Sequence, residues 1–366
     1  MTIYIIEIEP LESRYTSQWK SELPKQLKKS TNQEVITISG GKVPENTTPG
    51  AFLNFAGTNI FKARQIEKIS KLINENKIKT GDYFLYTDAW NPTVLQLRYM
   101  VDLLDIDVRI GGLWHAGAYD VWDILGQKLF NSPWVDSAEH SMFSSYDDNF
   151  FATQFHVDVF ASARLNINPL KDRPQHINTT IQTVGWPMEY MESTLKPYMD
   201  LSDSEKTDTI IFPHRVSSEK QPDIFKDLAN SLPEYEFVVC QDQNLTKTEY
   251  HQLLARSKLL FSANLQETLG ISTCLEGPLL NVLPMAPNRL SYSEIFINDT
   301  EWLYPSEWTE SYDQYLIYKT KIVNMIKDRM QNYESYKRLL IEGYIGNKRY
   351  EKFFSGRELY QAIKDK

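Results

Sequence analysis

The chain is poor in the residues that staple or metallate small folds. Two cysteines in 366 residues, Cys240 and Cys274, leave no disulfide framework and no thiolate metal cluster. The six histidines do not pair at metal-ligand spacing; His115, His140, His214 and His251 each stand alone, and a required metal is not indicated. No apolar run approaches the roughly 18 residues of a membrane span, which argues against stable membrane insertion. The opening MTIYIIEIEP has no basic leader and carries Glu7 and Glu9 where an apolar core would continue, so a cytoplasmic protein is expected. Also missing are the G-x-x-x-x-G-K-[ST] of P-loop NTPases, the G-x-G-x-x-G of dinucleotide oxidoreductases and the G-x-S-x-G elbow of hydrolases. Asp147-Asp148 could serve an acidic metal motif, but Tyr146-Asp147-Asp148-Asn149 reads equally well as a helix-ending turn.

What is present is length and alternation. A chain of this size fits two domains of about 150–200 residues better than one core. Strands are expected at Ile3–Ile8, Glu34–Ile38, Tyr83–Thr87 and Asp107–Leu113, with helices at Thr16–Lys29 (capped by Thr16), Thr58–Asn76 and Pro92–Leu104. The rhythm breaks around Gly185, Pro187, Pro197 and the polar run LSDSEKTD, then resumes. Strands follow at Thr209–Pro213, Tyr235–Cys240 and Leu259–Ser262, with helices at Gln221–Leu232, Thr246–Ala255, Ile271–Leu279, Ser311–Leu340 and Ser355–Lys364. Short connections between strands and helices imply parallel sheets covered on both faces. The expected fold class is therefore α/β: an N-terminal Rossmann-like domain over 1–185, a linker over 186–208, and a second Rossmann-like domain over 209–340. Residues 341–366 form a C-terminal helical segment that could pack back across the two. Ligands of two such sheets facing a central cleft sit beyond the C-terminal ends of the strands.

Charge is uneven. Residues 319–366 hold 12 Lys+Arg against 6 Asp+Glu, while the whole chain carries −9. This basic tail is interleaved with Tyr333, Tyr336, Tyr344, Tyr350, Phe353, Phe354 and Tyr360, a composition able to meet phosphates; amphipathic helices with solvated cations give the same pattern.

Four loops that follow strands carry unusual residues. Strand Ile210–Phe212 runs into PHRVSSEK and a helix opening at Pro222. Arg215 and Lys220 bracketing a Ser-rich turn at a helix N-terminus suit a diphosphate, because a guanidinium engages oxygens bidentately and an ammonium adds a second charge. Strand Leu259–Ser262 leads into ANLQETLGI: Glu267 sits in the loop, the amides of Leu269, Gly270 and Ile271 open a helix, and Glu276 lies inside its apolar stretch. A carboxylate there needs a partner, either ribose hydroxyls or a salt bridge within the protein. In the N-terminal half, GGLWHAGAYD places His115 among glycines and aromatics after a strand. His115 could hydrogen-bond a sugar hydroxyl, move a proton, or be satisfied by its own core. Trp114 and Tyr119 could face a ring, and Asp88 and Trp90 could line the same side.

Two α/β domains, the Arg215…Lys220 pair, and Glu-Thr-Leu-Gly followed by a helical Glu resemble retaining glycosyltransferases of the GT-B fold, the class of glycogen synthases and bacterial sugar transferases. The matching motifs lie in about residues 210–290. The resemblance implies a nucleoside-diphosphate sugar, UDP-linked by preference, as donor substrate with no further cofactor. Arg215, Lys220 and the amides of Leu269, Gly270 and Ile271 would hold its diphosphate. Glu267 would meet the donor sugar, Glu276 the ribose, and His115 would be the histidine near the sugar. The class has seven residues between its two glutamates, whereas Thr268 to Leu275 makes eight. One extra residue rotates a helix position by about 100°; either the helix starts differently here or Glu276 is not the ribose ligand.

For the acceptor, the size and two-domain plan resemble phage enzymes that glucosylate hydroxymethylated pyrimidines in DNA. Lys348, Arg349, Lys352 and Arg357 are the candidate contacts to the DNA backbone. A cell-surface polysaccharide or lipid-linked sugar fits the same resemblance, with Thr16–Lys29 and its Lys20, Lys25, Lys28 and Lys29 as a mild membrane-surface helix. A nucleotide-sugar epimerase or a non-catalytic nucleotide-sugar-binding protein are the readings from other classes.

Overall fold

The computed structural model describes residues 1–11, 15–42, 47–48, 53–165, 179–204, 206–297 and 299–365. The chain divides into two compact units, Met1–Pro187 with Gly356–Lys366, and Met188–Ser355.

The first unit is a six-stranded parallel sheet in the order β2-β1-β3-β4-β5-β6. Its elements are β1 (Thr2–Ile6), α1 (Thr16–Thr31), β2 (Glu34–Ile38), α2 (Phe55–Asn74), β3 (Tyr83–Tyr86), α3 (Thr93–Leu103), β4 (Arg109–Trp114), α4 (Ile124–Leu129), α5 (Pro133–Ser145), β5 (Asp148–Phe151), α6 (Gln154–Phe160) and β6 (Thr180–Thr183). Strands β3 and β5 are buried at every residue, as expected of inner strands with helices on both faces, whereas β2 at the edge is mostly open. Gly111 and Gly112 lie within β4, where a Cβ on Gly112 would come 2.8 Å from the Tyr146 ring.

No strand or helix is expected from the sequence between residues 121 and 180, and β5 in that stretch opens on two residues that strands disfavour. The tertiary structure satisfies both. Asp148 accepts from Arg109 at 2.9 Å, Tyr83 Oη at 3.0 Å and Thr180 Oγ1 at 2.9 Å, while Asn149 accepts from Trp114 Nε1 at 2.8 Å. The expected helix-ending turn at Tyr146–Asn149 is thus a helix end followed at once by a strand. Thr16 does not cap α1 either; it is the first helical residue, and its hydroxyl donates to the Glu9 carbonyl at 2.8 Å.

The second unit is a five-stranded parallel sheet in the order β11-β10-β9-β7-β8. It comprises α7 (Met191–Leu195), α8 (Met199–Ser204), β7 (Thr209–Phe212), α9 (Pro222–Ser231), β8 (Glu236–Val239), α10 (Lys247–Arg256), β9 (Leu259–Phe261), α11 (Gly277–Leu279), β10 (Leu283–Pro287), α12 (Leu290–Ile295), β11 (Leu303–Tyr304), α13 (Tyr312–Gln331), α14 (Tyr333–Leu339) and α15 (Glu351–Phe354). Residues 188–204 belong to this unit as short helices. The helix read over Ser311–Leu340 breaks at Asn332, whose side chain turns back to Asp328 Oδ1 at 2.8 Å. The last helix, α16 (Arg357–Lys364), packs in the first unit, with Tyr360 Oη 3.1 Å from Gln26 on α1.

Each sheet has one point where successive strands turn to opposite sides: between β1 and β3, and between β7 and β9. Loops leaving the C-terminal ends of such a strand pair diverge and open a crevice.

Candidate functional site

In the second unit both motif loops start at that point. The turn after β7 ends in a short 3₁₀ segment, Ser218–Lys220, and the chain enters α9 through Gln221 in the left-handed region (φ 52°). The Gln221 amide donates to the carbonyls of Ala263 and Thr309, each at 2.6 Å, tying this turn to the loop after β9. Leu265 N–H donates to the Glu219 carbonyl at 2.7 Å. Arg289 clamps the same loop from behind, donating to Asn264 O and Ala263 O at 2.8 Å each.

The two loops bring Lys220 and Glu267 together. The Lys220 side chain is 6% exposed, its ammonium 3.5 Å from Glu267 Oε2; it also donates to the carbonyl of Gln266 and to Gln266 Oε1 at 3.2 Å. Burial pushes the Glu267 carboxyl upward. The Lys220 ammonium, His214 and the backbone N–H groups of Gly270 and Leu269 outweigh it and hold Glu267 below the ordinary glutamate range. Gly270 has φ 71°, and a Cβ there would stand 2.7 Å from the Tyr292 ring, so the close turn depends on glycine. The amides of Leu269 and Gly270 therefore hold an anion already, the Glu267 carboxylate. Ile271 opens the helical turn that follows. Arg215 is partly exposed and pairs with buried Glu219 at 2.9 Å, which also accepts from Ser217 Oγ at 2.6 Å.

Glu276 lies apart from this cluster. It is buried, with Tyr250 Oη at 3.0 Å, Ser272 Oγ at 3.2 Å and His251 Nε2 at 3.5 Å. Burial raises its carboxyl, and His251, Lys247 and Tyr250 bring it below the ordinary range. The partner that a buried carboxylate requires comes from α10 and its own turn. Residues Ser272–Glu276 form a π-turn, closed by Gly277 N–H, and only then does α11 begin. A π-turn holds one residue more than an α-turn, and Glu276 is the last residue of this one. Pro278 explains the widening: it has no N–H for the Cys274 carbonyl, and the Tyr344 hydroxyl donates there instead at 2.7 Å.

In the first unit, His115 is buried with both ring nitrogens in use. Nε2 donates to the Thr87 carbonyl at 2.7 Å, which leaves Nδ1 to accept from Tyr15 Oη at 2.6 Å. Tyr15, Trp19 and Trp186 enclose the ring, Trp186 with its centroid at 4.4 Å. Trp114 and Tyr119 are core residues; as the last residue of β4, Trp114 turns inward to Asn149, and the Tyr119 hydroxyl meets His156 Nε2 at 2.7 Å. Asp88 pairs with buried Lys62 at 3.2 Å, and Trp90 Nε1 donates to Glu139 Oε1 at 2.8 Å.

Lys348, Arg349, Lys352 and Arg357 are exposed, the first three on the second unit and Arg357 on the first. Lys348 pairs with Glu351 at 2.6 Å. The aromatics between them are packed inward: Tyr333, Tyr344, Tyr350, Phe353, Phe354 and Tyr360 are all buried. Of the aromatics named in the tail, Tyr336 alone is only half-buried, and the others are core. On α1, Trp19, Leu23 and Leu27 are buried in the unit and the lysines are exposed, so its apolar stripe is likewise spent.

Sequence reasoning missed His214, Glu219, Asn264, Tyr292 and Arg289, which hold or border the loops. The signal available was a polar residue inside a run that is otherwise buried, as with Asn264 after LLFSA. Among the described residues no three His, Cys, Asp or Glu side chains group as a metal site would need, and no helix is long and apolar enough to cross a membrane.

Neither a protein-family model nor a curated protein matches the chain. Solved structures do. Sucrose-phosphate synthase from Thermosynechococcus elongatus is 11% identical and matches with a TM-score of 0.60 over 100% of this chain and 96% of its own. An alpha-glucosyltransferase in complex with UDP and a 13-mer DNA containing a central A:G mismatch is 12% identical, with a TM-score of 0.54 over 99% and 98%. The pneumococcal O-GlcNAc transferase GtfA, in complex with UDP and GlcNAc, is 15% identical with a TM-score of 0.50; 83% of this chain spans 60% of that protein's length. With two parallel Rossmann-like sheets and these neighbours, the chain has the α/β fold of GT-B glycosyltransferases.

Proposed function

We propose that the protein is a retaining glycosyltransferase that moves a sugar from a UDP-sugar to an acceptor hydroxyl. The observation that carries the reading is the meeting of Lys220 and Glu267, from the loops after β7 and β9, at the point where the second sheet reverses its strand order. UDP in two of the fold neighbours supports the choice of donor.

In this reading Arg215, Lys220 and the amides of Leu269, Gly270 and Ile271 take the diphosphate and stabilise the negative charge it gains as the glycosidic bond breaks. The ligand oxygens would replace Glu219 and Glu267 as acceptors for these donors. Glu267, held ionised, accepts hydroxyl protons of the sugar and favours the positive charge that builds on its ring. The departing phosphate oxygen takes the acceptor's proton on the same face, so configuration is kept. Glu276, brought back into phase by the π-turn, reaches the ribose hydroxyls. His115 keeps its loop in place through Thr87 and Tyr15.

The acceptor proposed is a hydroxymethylated pyrimidine in DNA. Exposed Lys348, Arg349, Lys352 and Arg357 supply cations for a phosphate backbone, and one fold neighbour is a glucosyltransferase bound to DNA. The test is mass spectrometry after incubation with UDP- and GDP-sugars, with and without duplex DNA containing 5-hydroxymethylcytosine or 5-hydroxymethyluracil. A hexose or pentose mass on the nucleoside, lost in Glu267→Gln, is the expected result. Nucleotide release with no mass on DNA moves the acceptor to a glycan or lipid. A changed sugar still bound to its nucleotide identifies an epimerase, and binding with no turnover refutes transfer.

A further inference from the structure

His214 stands between the residues of the site and is not used in the scheme above. It follows β7 directly, with its ring edge-on to Phe212 at 5.0 Å, and it is buried. Its Nδ1 lies 3.4 Å from Asn264 Nδ2, an amide nitrogen that also donates to Tyr292 Oη at 2.9 Å. Among the described residues its Nε2 has no hydrogen-bond partner, although it is sealed from solvent. Burial first, and the Lys220 ammonium second, depress its pKa to about 3, while Glu267 acts weakly in the opposite sense.

An amide nitrogen can only donate, so Nδ1 accepts, and the neutral ring carries its proton on Nε2. Among the described residues that Nε2–H group then has nothing to receive it. A buried donor left unsatisfied is unfavourable, so a ligand oxygen that receives it gains more than a single ordinary hydrogen bond.

We propose that His214 reads a hydroxyl of the donor sugar, accepting no proton itself and donating Nε2–H to the hydroxyl oxygen while Glu267 accepts the hydroxyl proton. This rests on the donor-site reading above. A hydroxyl is the better occupant: it answers the Nε2–H donor and the Glu267 acceptor at once, whereas an ionised phosphate oxygen only accepts and has no hydrogen to give Glu267. A site that hydrogen-bonds a hydroxyl on both sides rejects a sugar lacking it, because both groups are then left unpaired.

Two measurements test this. Long-range nitrogen–proton NMR of the whole protein reads the His214 tautomer without any ligand. The Nε2–H form is expected, and the Nδ1–H form overturns the proposal whatever the donor is. Calorimetric titration then compares UDP with UDP-glucose, UDP-galactose and UDP-N-acetylglucosamine on the natural protein, His214→Phe and His214→Gln. The expected result is UDP affinity within about twofold in both variants, with about a tenfold loss for the best-bound UDP-sugar in His214→Phe and partial recovery in His214→Gln. Equal loss for UDP and UDP-sugar overturns the sugar role and leaves the donor reading standing. Failure of the natural protein to bind UDP or any of the three overturns the donor reading, and the His214 assignment with it.

Discussion

The pairing of Lys220 with Glu267 can be tested by removing its cation. At 3.5 Å, with side chains 6% and 23% exposed, the attraction amounts to about 4–5 kcal/mol at an effective dielectric constant of about 20. Desolvation of both groups offsets much of that. In Lys220→Met, Glu267 keeps the amides of Leu269 and Gly270 but loses its cation. Gln266 O and Oε1 lose a donor as well. The variant should be destabilised by about 2–4 kcal/mol in urea unfolding at neutral pH. Adding Glu267→Gln removes the stranded charge, so the double variant should recover about 1–3 kcal/mol relative to additivity.

The pH dependence has a definite sign. Glu267 is held below the ordinary glutamate range in the folded protein, so its contribution is complete above the unfolded pKa and is lost as pH falls through the folded one. Without Lys220, burial is the largest influence left and moves the carboxyl upward. The deficit of Lys220→Met is therefore greatest at neutral pH and shrinks on acidification. A deficit flat with pH, together with a coupling below about 0.5 kcal/mol, would refute the ion pair as the organising contact of these loops.

Gly270→Ala forces an alanine to φ 71° and its Cβ to 2.7 Å from the Tyr292 ring, and should cost about 2–4 kcal/mol in the same unfolding assay. A change under about 0.5 kcal/mol would show that the turn relaxes freely. If the π-turn puts Glu276 at the ribose, the natural protein should bind UDP about tenfold or more tightly than 2′-deoxy-UDP, and Glu276→Ala should erase that preference. Equal affinities in the natural protein would assign Glu276 to the His251–Tyr250 network alone.

Local pattern carried most of the framework. Strand β2 matches its expected bounds residue for residue, and β7, β8, β9, α9 and α10 fall within one residue of theirs at each end, because apolar runs and breakers there agree with the tertiary environment. The elements not expected from the sequence include α4, α5, β5, α6 and β6 in the first unit and β10, α12 and β11 in the second; β5 carries Asp148 and Asn149, compensated from other strands, and the helix expected at Ile271–Leu279 is instead a π-turn and a short helix, with Pro278 inside it and Tyr344 closing it from 70 residues away.

The candidate site divides in the same way. Arg215, Lys220 and Glu267 were legible from the sequence because charged residues stand in loops directly after buried strands, and the place of those strands follows from alternation alone. Which groups those charges meet was not legible. Pairing across 47 residues between Lys220 and Glu267, the two nitrogens of His115 both spent, Trp114 turned into the core, and the aromatic residues of the basic tail packed inward all depend on contacts between distant segments. A sequence records the type of each side chain and the periodicity of its neighbours. Whether a polar atom is left over for a ligand depends on partners that only the folded chain brings within hydrogen-bonding distance.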